Sequence, residues 1–200
     1  MTTHGSPTEQ LRSAFDDARA VLEAFMQAPD GFASVPRFAE AALETVRGGG
    51  LLMAIGNGGS MSDAMHFAEE WTGRFRGNRR PVPAIAFSDP AAMTCIANDF
   101  GYDEVFARQV EAHGKQGDLL VAISTSGNSP NVIRACEVAR GLGVTTVGLL
   151  GKGGGKLKEQ VDIPVVVPYS ASSDRIQEVH IKVLHNVIEV VERAVFPGNY

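Results

Sequence analysis

Asp63, His66 and Glu70 recur at i, i+3 and i+7, so a helix would line all three along one face. A histidine and a glutamate four residues apart can hold a metal ion, although the spacing is common and each can equally be a solvated or packed polar group. A second polar set, Asp174, Gln177, His180 and His185, comes more than a hundred positions later. On a helix Gln177 and His185 stand about 80° apart, and His180 turns about 60° from Gln177 the other way, so His180 and His185 do not serve one role together. Moving a carbonyl between adjacent sugar carbons needs a base for a carbon-bound proton and a group that shuttles protons between two oxygens, or else a Lewis acid. Glu70 and His185 suit the acid–base pair.

The strongest local signal is Ser124-Thr125-Ser126-Gly127-Asn128-Ser129-Pro130, where four hydroxyls precede a helix beginning near Pro130. Free N–H groups and the positive end of a helix dipole favour an anion there, and Gly127 permits an unusual backbone angle. An ordinary N-cap needs one Ser or Asn and gives no reason for three serines and a threonine within six residues. The expected ligand is a phosphate. A second turn, Gly56-Asn57-Gly58-Gly59-Ser60, is neither GxGxxG nor a Walker sequence, which disfavours a nucleotide. By itself it is either a tight connection or, beside a sugar phosphate, a source of hydroxyl contacts through Asn57 and Ser60.

These groups need a scaffold that brings strand-to-helix turns together. Leu51 to Ile55, Pro83 to Phe87, Leu119 to Ser124, Thr145 to Leu150 and Asp162 to Val167 read as short buried strands, with helical patterns from Ser60, after Phe87 and near Pro130. Two helices open the chain, over Thr8 to Ala28 and Pro36 to Arg47, and a long one closes it from about Ser173 to Ala194. The last is apolar over so much of its girth that it should pack on more than its own sheet. The expected fold is one three-layer α/β/α sandwich with a five-stranded parallel sheet, its helices at about 8–48 serving oligomerisation and its α/β core spanning about 51–196. Met1 to Pro7 and Pro197 to Tyr200 are expected to be mobile.

The 200 residues are 44% hydrophobic and carry a net charge of −5 with scattered basic residues, which leaves no footprint for a nucleic acid. Apolar runs such as Leu119 to Ile123 are far shorter than the roughly 20 residues of a membrane span. The first residues lack the pattern of a secretory signal, so the cytoplasm is the expected compartment. Cys95 and Cys136 sit in apolar stretches without CxxC spacing and read as reduced packing residues.

Taken together, GNGGSMSDAMHFAEEWTGRF from Gly56, NDFGYDEVFARQV from Asn98, STSGNSPN from Ser124 and SSDRIQEVHIKVLH from Ser172 closely resemble the bacterial phosphoheptose isomerases of the SIS (sugar isomerase) group, with its flavodoxin-like fold. The likeness runs from about Leu11 to Phe196. It implies conversion of D-sedoheptulose 7-phosphate to D-glycero-D-manno-heptose 7-phosphate through an enediol, the first step toward nucleotide-activated heptose. It also implies Glu70 as the base and His185 as its acid–base partner, with Asp174 and Gln177 as supporting polar contacts. Ser124, Thr125, Ser126 and Ser129 match phosphate contacts. Asn57, Gly58, Gly59, Ser60, Asn98 and Asp99 match positions lining the sugar, with Asp99 assisting ring opening. One zinc ion on His66, Glu70, Gln177 and His185 is implied as well, and no nucleotide or organic cofactor. The family's homotetramers share active sites between subunits. Met61-Ser62 and the segment from Tyr169 to Ser173 depart from the family pattern. The same fold also serves noncatalytic proteins that bind a replication initiator or sense phosphosugars; Glu70, Gln177 and His185 favour an enzyme here.

Overall fold

The computed structural model describes residues 5–169 and 171–200. The first helix, α1 (Pro7–Gln27), starts at a capping box in which Glu9 N–H donates to Ser6 Oγ and Ser6 N–H donates to the Glu9 carboxylate. The second, α2 (Val35–Gly48), stops at Gly49, whose φ of +71° suits a residue without Cβ. Their apolar stripes, including Val21, Phe25, Phe38, Ala42 and Val46, enter the same core as the sheet.

The remainder alternates: β1 (Leu52–Gly56), α3 (Gly59–Thr72), β2 (Ala84–Ala86), α4 (Pro90–Phe100), α5 (Ala107–His113), β3 (Leu119–Ser124), α6 (Pro130–Gly141), β4 (Thr145–Gly151), β5 (Ile163–Val167) and α7 (Ser173–Val195). All strands pair in parallel, in the order β2-β1-β3-β4-β5. β1 and β3 are buried along their whole length, as a sheet covered on both faces requires. One face packs α1, α2, α3 and α7; the other packs α5 and α6 with part of α4. The order reverses between β1 and β3, and the loops leaving that point diverge to open a crevice at the strands' carboxyl ends.

Three local expectations change. Cys95 is exposed rather than packed, because no residue of α4 is buried; Cys136 is buried, which pushes its thiol up to about 12. Pro7 belongs to α1, and Pro197–Asn199 forms a 3-10 turn pinned where Tyr200 O–H donates to Glu192 Oε2 at 3.0 Å. Met1 to His4 and Ser170 lie outside the described residues. Among the described residues no helix is long and apolar enough to cross a membrane.

Candidate active site

Two of the expected loops leave neighbouring strands at the crevice. At the β1–α3 turn, Gly58 takes φ +56° and Ser60 is buried. Asn57 and Asn131 exchange two side-chain hydrogen bonds of 2.9 Å, and Tyr102 O–H donates to Asn57 Oδ1 at 3.1 Å. Gln177 donates from Nε2 to Ser60 Oγ at 3.2 Å, and a Cβ on Gly59 would strike that amide. Asn57, Gly58, Gly59, Ser60 and Gln177 are therefore one neighbourhood. Asn98 and Asp99 are exposed at the end of α4, joined by a 2.8 Å bond from Asn98 Nδ2 to Asp99 Oδ1.

At the β3–α6 turn, Ser124 Oγ lies 3.0 Å from Ser129 Oγ and accepts from Gly127 N–H at 3.1 Å, while Ser126 Oγ accepts from Asn128 N–H at 3.2 Å. Gly127 has φ +63°, and a Cβ there would run into the Gly154 carbonyl oxygen. The glycine-rich segment after β4 thus braces the loop, and Leu157 N–H donates to Gly127 O at 3.0 Å. Thr125 Oγ1 donates to Ser173 Oγ at 3.1 Å, which draws the N-terminus of α7 to the same place. Asp174 is exposed beside it, and a hydrogen bond from Ser172 holds its carboxyl below the usual range. Hydroxyls, loop amides and helix N-termini converge as an anion site requires.

The third group lies between α3 and α7. His66 Nε2 is 3.2 Å from Glu70 Oε1 and 3.4 Å from His185 Nε2, and the three donor atoms all lie within 4.8 Å of one another. Burial foremost, then the neighbouring His66, holds His185 below the ordinary histidine range. Asp63, on the same face of α3, is half-buried, and burial pushes its carboxyl up to about 6 against the pull of His66. His180 stands apart, fully buried with Nε2 3.1 Å from Leu150 O, and burial lowers it to about 4. Helical spacing had separated it from His185, and it does not join the group.

His66, Glu70 and His185 together could hold a metal ion. Around a tetrahedral ion with bonds of about 2.0–2.1 Å, neighbouring donors stand about 3.3 Å apart, close to the two spacings at His66. Two imidazole nitrogens facing each other need either a proton or a shared cation between them. Gln177, by contrast, sits with Ser60, eight residues or about 12 Å along α7 from His185. Glu70 is likewise about 17 Å along α3 from Gly59, and His185 about 18 Å along α7 from Ser173. Within one chain, then, the loops and the histidine–glutamate group are separated.

The SIS domain family matches residues 15–151. The phosphoheptose isomerase of Fusobacterium nucleatum is 47% identical over 95% of this chain and 97% of its own length. That of Yersinia enterocolitica is 48% identical over 92% of this chain and 95% of its own. The chain belongs to the phosphoheptose isomerase family. Solved phosphoheptose isomerases agree: that of Neisseria gonorrhoeae superposes with a TM-score of 0.86 at 35% identity, covering 94% of this chain and 99% of that one. That of Francisella tularensis gives 0.88 at 30%, covering 94% and 100%. Phosphoheptose isomerases are aldose–ketose isomerases, the chemistry that a carboxylate and an imidazole in one group can perform.

Sequence reasoning missed Asn131 as the partner of Asn57, Tyr102 beside it, and the brace at Gly154. Asn131 lay inside a noted motif; Gly154 is one of three consecutive glycines, a signal of a close backbone approach.

Proposed function

We propose that this chain interconverts D-sedoheptulose 7-phosphate and D-glycero-D-manno-heptose 7-phosphate, supplying nucleotide-activated heptose synthesis. The observation that carries this reading is the meeting of Glu70 and His185 across α3 and α7 in a chain 47% identical to a phosphoheptose isomerase. Glu70 turns Oε1 to His66, which leaves Oε2 to take a proton from C1 of the ketose. The electron pair forms the C1–C2 enediol, His185 moves the hydroxyl proton between the oxygens, and the proton returned to C2 yields the aldose. Ser124, Thr125, Ser126 and Ser129 hold the phosphate; Asn57, Ser60, Asn98, Asp174 and Gln177 orient the sugar, with Asp99 assisting ring opening. Zinc held by His66, Glu70 and His185 would instead polarise the carbonyl, because a ligating lone pair is unavailable for proton transfer.

A seven-carbon sugar phosphate reaches roughly 10 Å when extended, at about 1.5 Å per bond. That is shorter than the run of α7 between Ser173, which Thr125 of the serine loop touches, and His185, which supports a site shared between copies. Gln177 of the partner subunit would then join His66, Glu70 and His185 as a ligand. Exposed Leu11, Phe15 and Met26 on α1 support assembly, which we take to be a tetramer. Two unpaired cysteines support a cytoplasmic enzyme.

Turnover of sedoheptulose 7-phosphate by the purified protein, before and after chelation and with zinc restored, tests the reading. Heptose 7-phosphate is the expected product. No turnover by folded protein in any condition would refute it and favour a phosphosugar sensor or an initiator-binding protein. Mixing Glu70→Gln chains with Gly127→Ala chains tests the sharing. Regained activity in mixed oligomers is expected at substrate concentrations where neither variant alone turns over, and none would mean that each chain's site is self-contained.

A further inference from the structure

The last carbonyls of α3 have no partners within the helix, and one of them belongs to Glu70. Arg79, in the loop that follows, reaches back to them. Its Nη2 donates to Glu70 O at 2.6 Å, its Nη1 to Trp71 O at 2.8 Å, and its Nε to Glu192 Oε1 at 2.5 Å. The two side chains are 1% and 0% exposed, and the guanidinium lies over the rings of Trp71 and Phe196. Glu192 follows His185 by seven residues, which puts it about 20° from the same face of α7. Its other oxygen accepts from Tyr200.

We propose that Arg79, through Glu192, is a positioning residue for the isomerisation: it grips the backbone of the base and the helix of its partner, and so sets the separation of Glu70 and His185. This rests on the isomerase reading. A buried ion pair is weak evidence for stability, because desolvation offsets its attraction. Satisfying two carbonyls and a carboxylate at once instead needs the planar fork of arginine, which lysine lacks. Register between the helices is what such a fork secures.

The test is the double variant Arg79→Met/Glu192→Leu, which removes both buried charges together and is expected to melt near the wild type. Its kcat for sedoheptulose 7-phosphate should fall about 100-fold, the scale of a misplacement near 1 Å, while KM stays within about threefold because the serine loop is untouched. Arg79→Lys should lose less, and Tyr200→Phe, the mildest change, about threefold in kcat at unchanged melting temperature. Nitrogen NMR of the His66 and His185 rings reports the geometry without turnover and should shift while His113 does not. Wild-type kcat and unshifted rings in the double variant, or in Arg79→Lys and Tyr200→Phe if the double variant does not fold, overturn the proposal. A wild type inactive on this sugar overturns the isomerase reading alone, and the ring signals still decide the clamp.

Discussion

In the proposed reaction the serine loop and the α3–α7 seam divide the work, and they are built in opposite ways. The loop is six consecutive residues whose hydroxyls bond to one another and to the loop's own amides, on a turn shaped by Gly127. The seam joins side chains 119 positions apart, and only the packing of two helices brings them within reach. A phosphate site needs donors fixed relative to one another, which covalent neighbours supply. Proton transfer needs two groups at a set separation, which no local segment supplies. Changes in the loop should therefore appear in KM and changes in the seam in kcat.

The largest expected effect is Glu70→Gln, which removes the basic oxygen with little change in size. Turnover should drop about 1000-fold with KM nearly unchanged, measured by following the aldose. Comparable loss in KM would erase the division between the two regions. Within the seam helix, His180 contrasts with His185. The unfolded imidazole takes up its proton near 6.5 and the folded one near 4, so the unfolded state binds more protons between those values. Stability should be flat above pH 6.5 on this account and fall by up to about 3 kcal/mol as pH drops toward 4. Denaturant melts of the wild type and His180→Gln check this, since the variant should lack that slope.

Gly127→Ala attacks the loop through its backbone. A left-handed angle costs a residue with Cβ about 1–2 kcal/mol, and the Gly154 carbonyl blocks the methyl group. KM should rise steeply, and kcat at saturation should hold. Ser129→Ala removes one hydroxyl and its 3.0 Å bond to Ser124, so KM should rise about tenfold, or about 1.4 kcal/mol. Inorganic phosphate as a competitive inhibitor should weaken in step in both variants. An unchanged inhibition constant would remove the phosphate from this loop.

Strand positions were legible because each core strand is a short apolar run bounded by turn residues, and β3 spans Leu119–Ser124 as the pattern predicts. The serine loop was legible for the same reason: its chemistry and its geometry lie in one stretch. His66, Glu70 and His185 were visible as candidates from helical spacing, and resemblance joined them into one site. What sequence alone could not decide was distance. It could not place Gln177 beside Ser60 and away from His185, or expose Cys95 on a helix with no fully buried residue. Nor could it turn Arg79, in a charged loop, into a buried cap on the carbonyl of Glu70. Local pattern determines which elements form and which face each side chain takes, because those depend on neighbours a few residues away. Tertiary packing decides which faces meet, because helix depth and rotation are set by contacts between segments that sequence order keeps far apart.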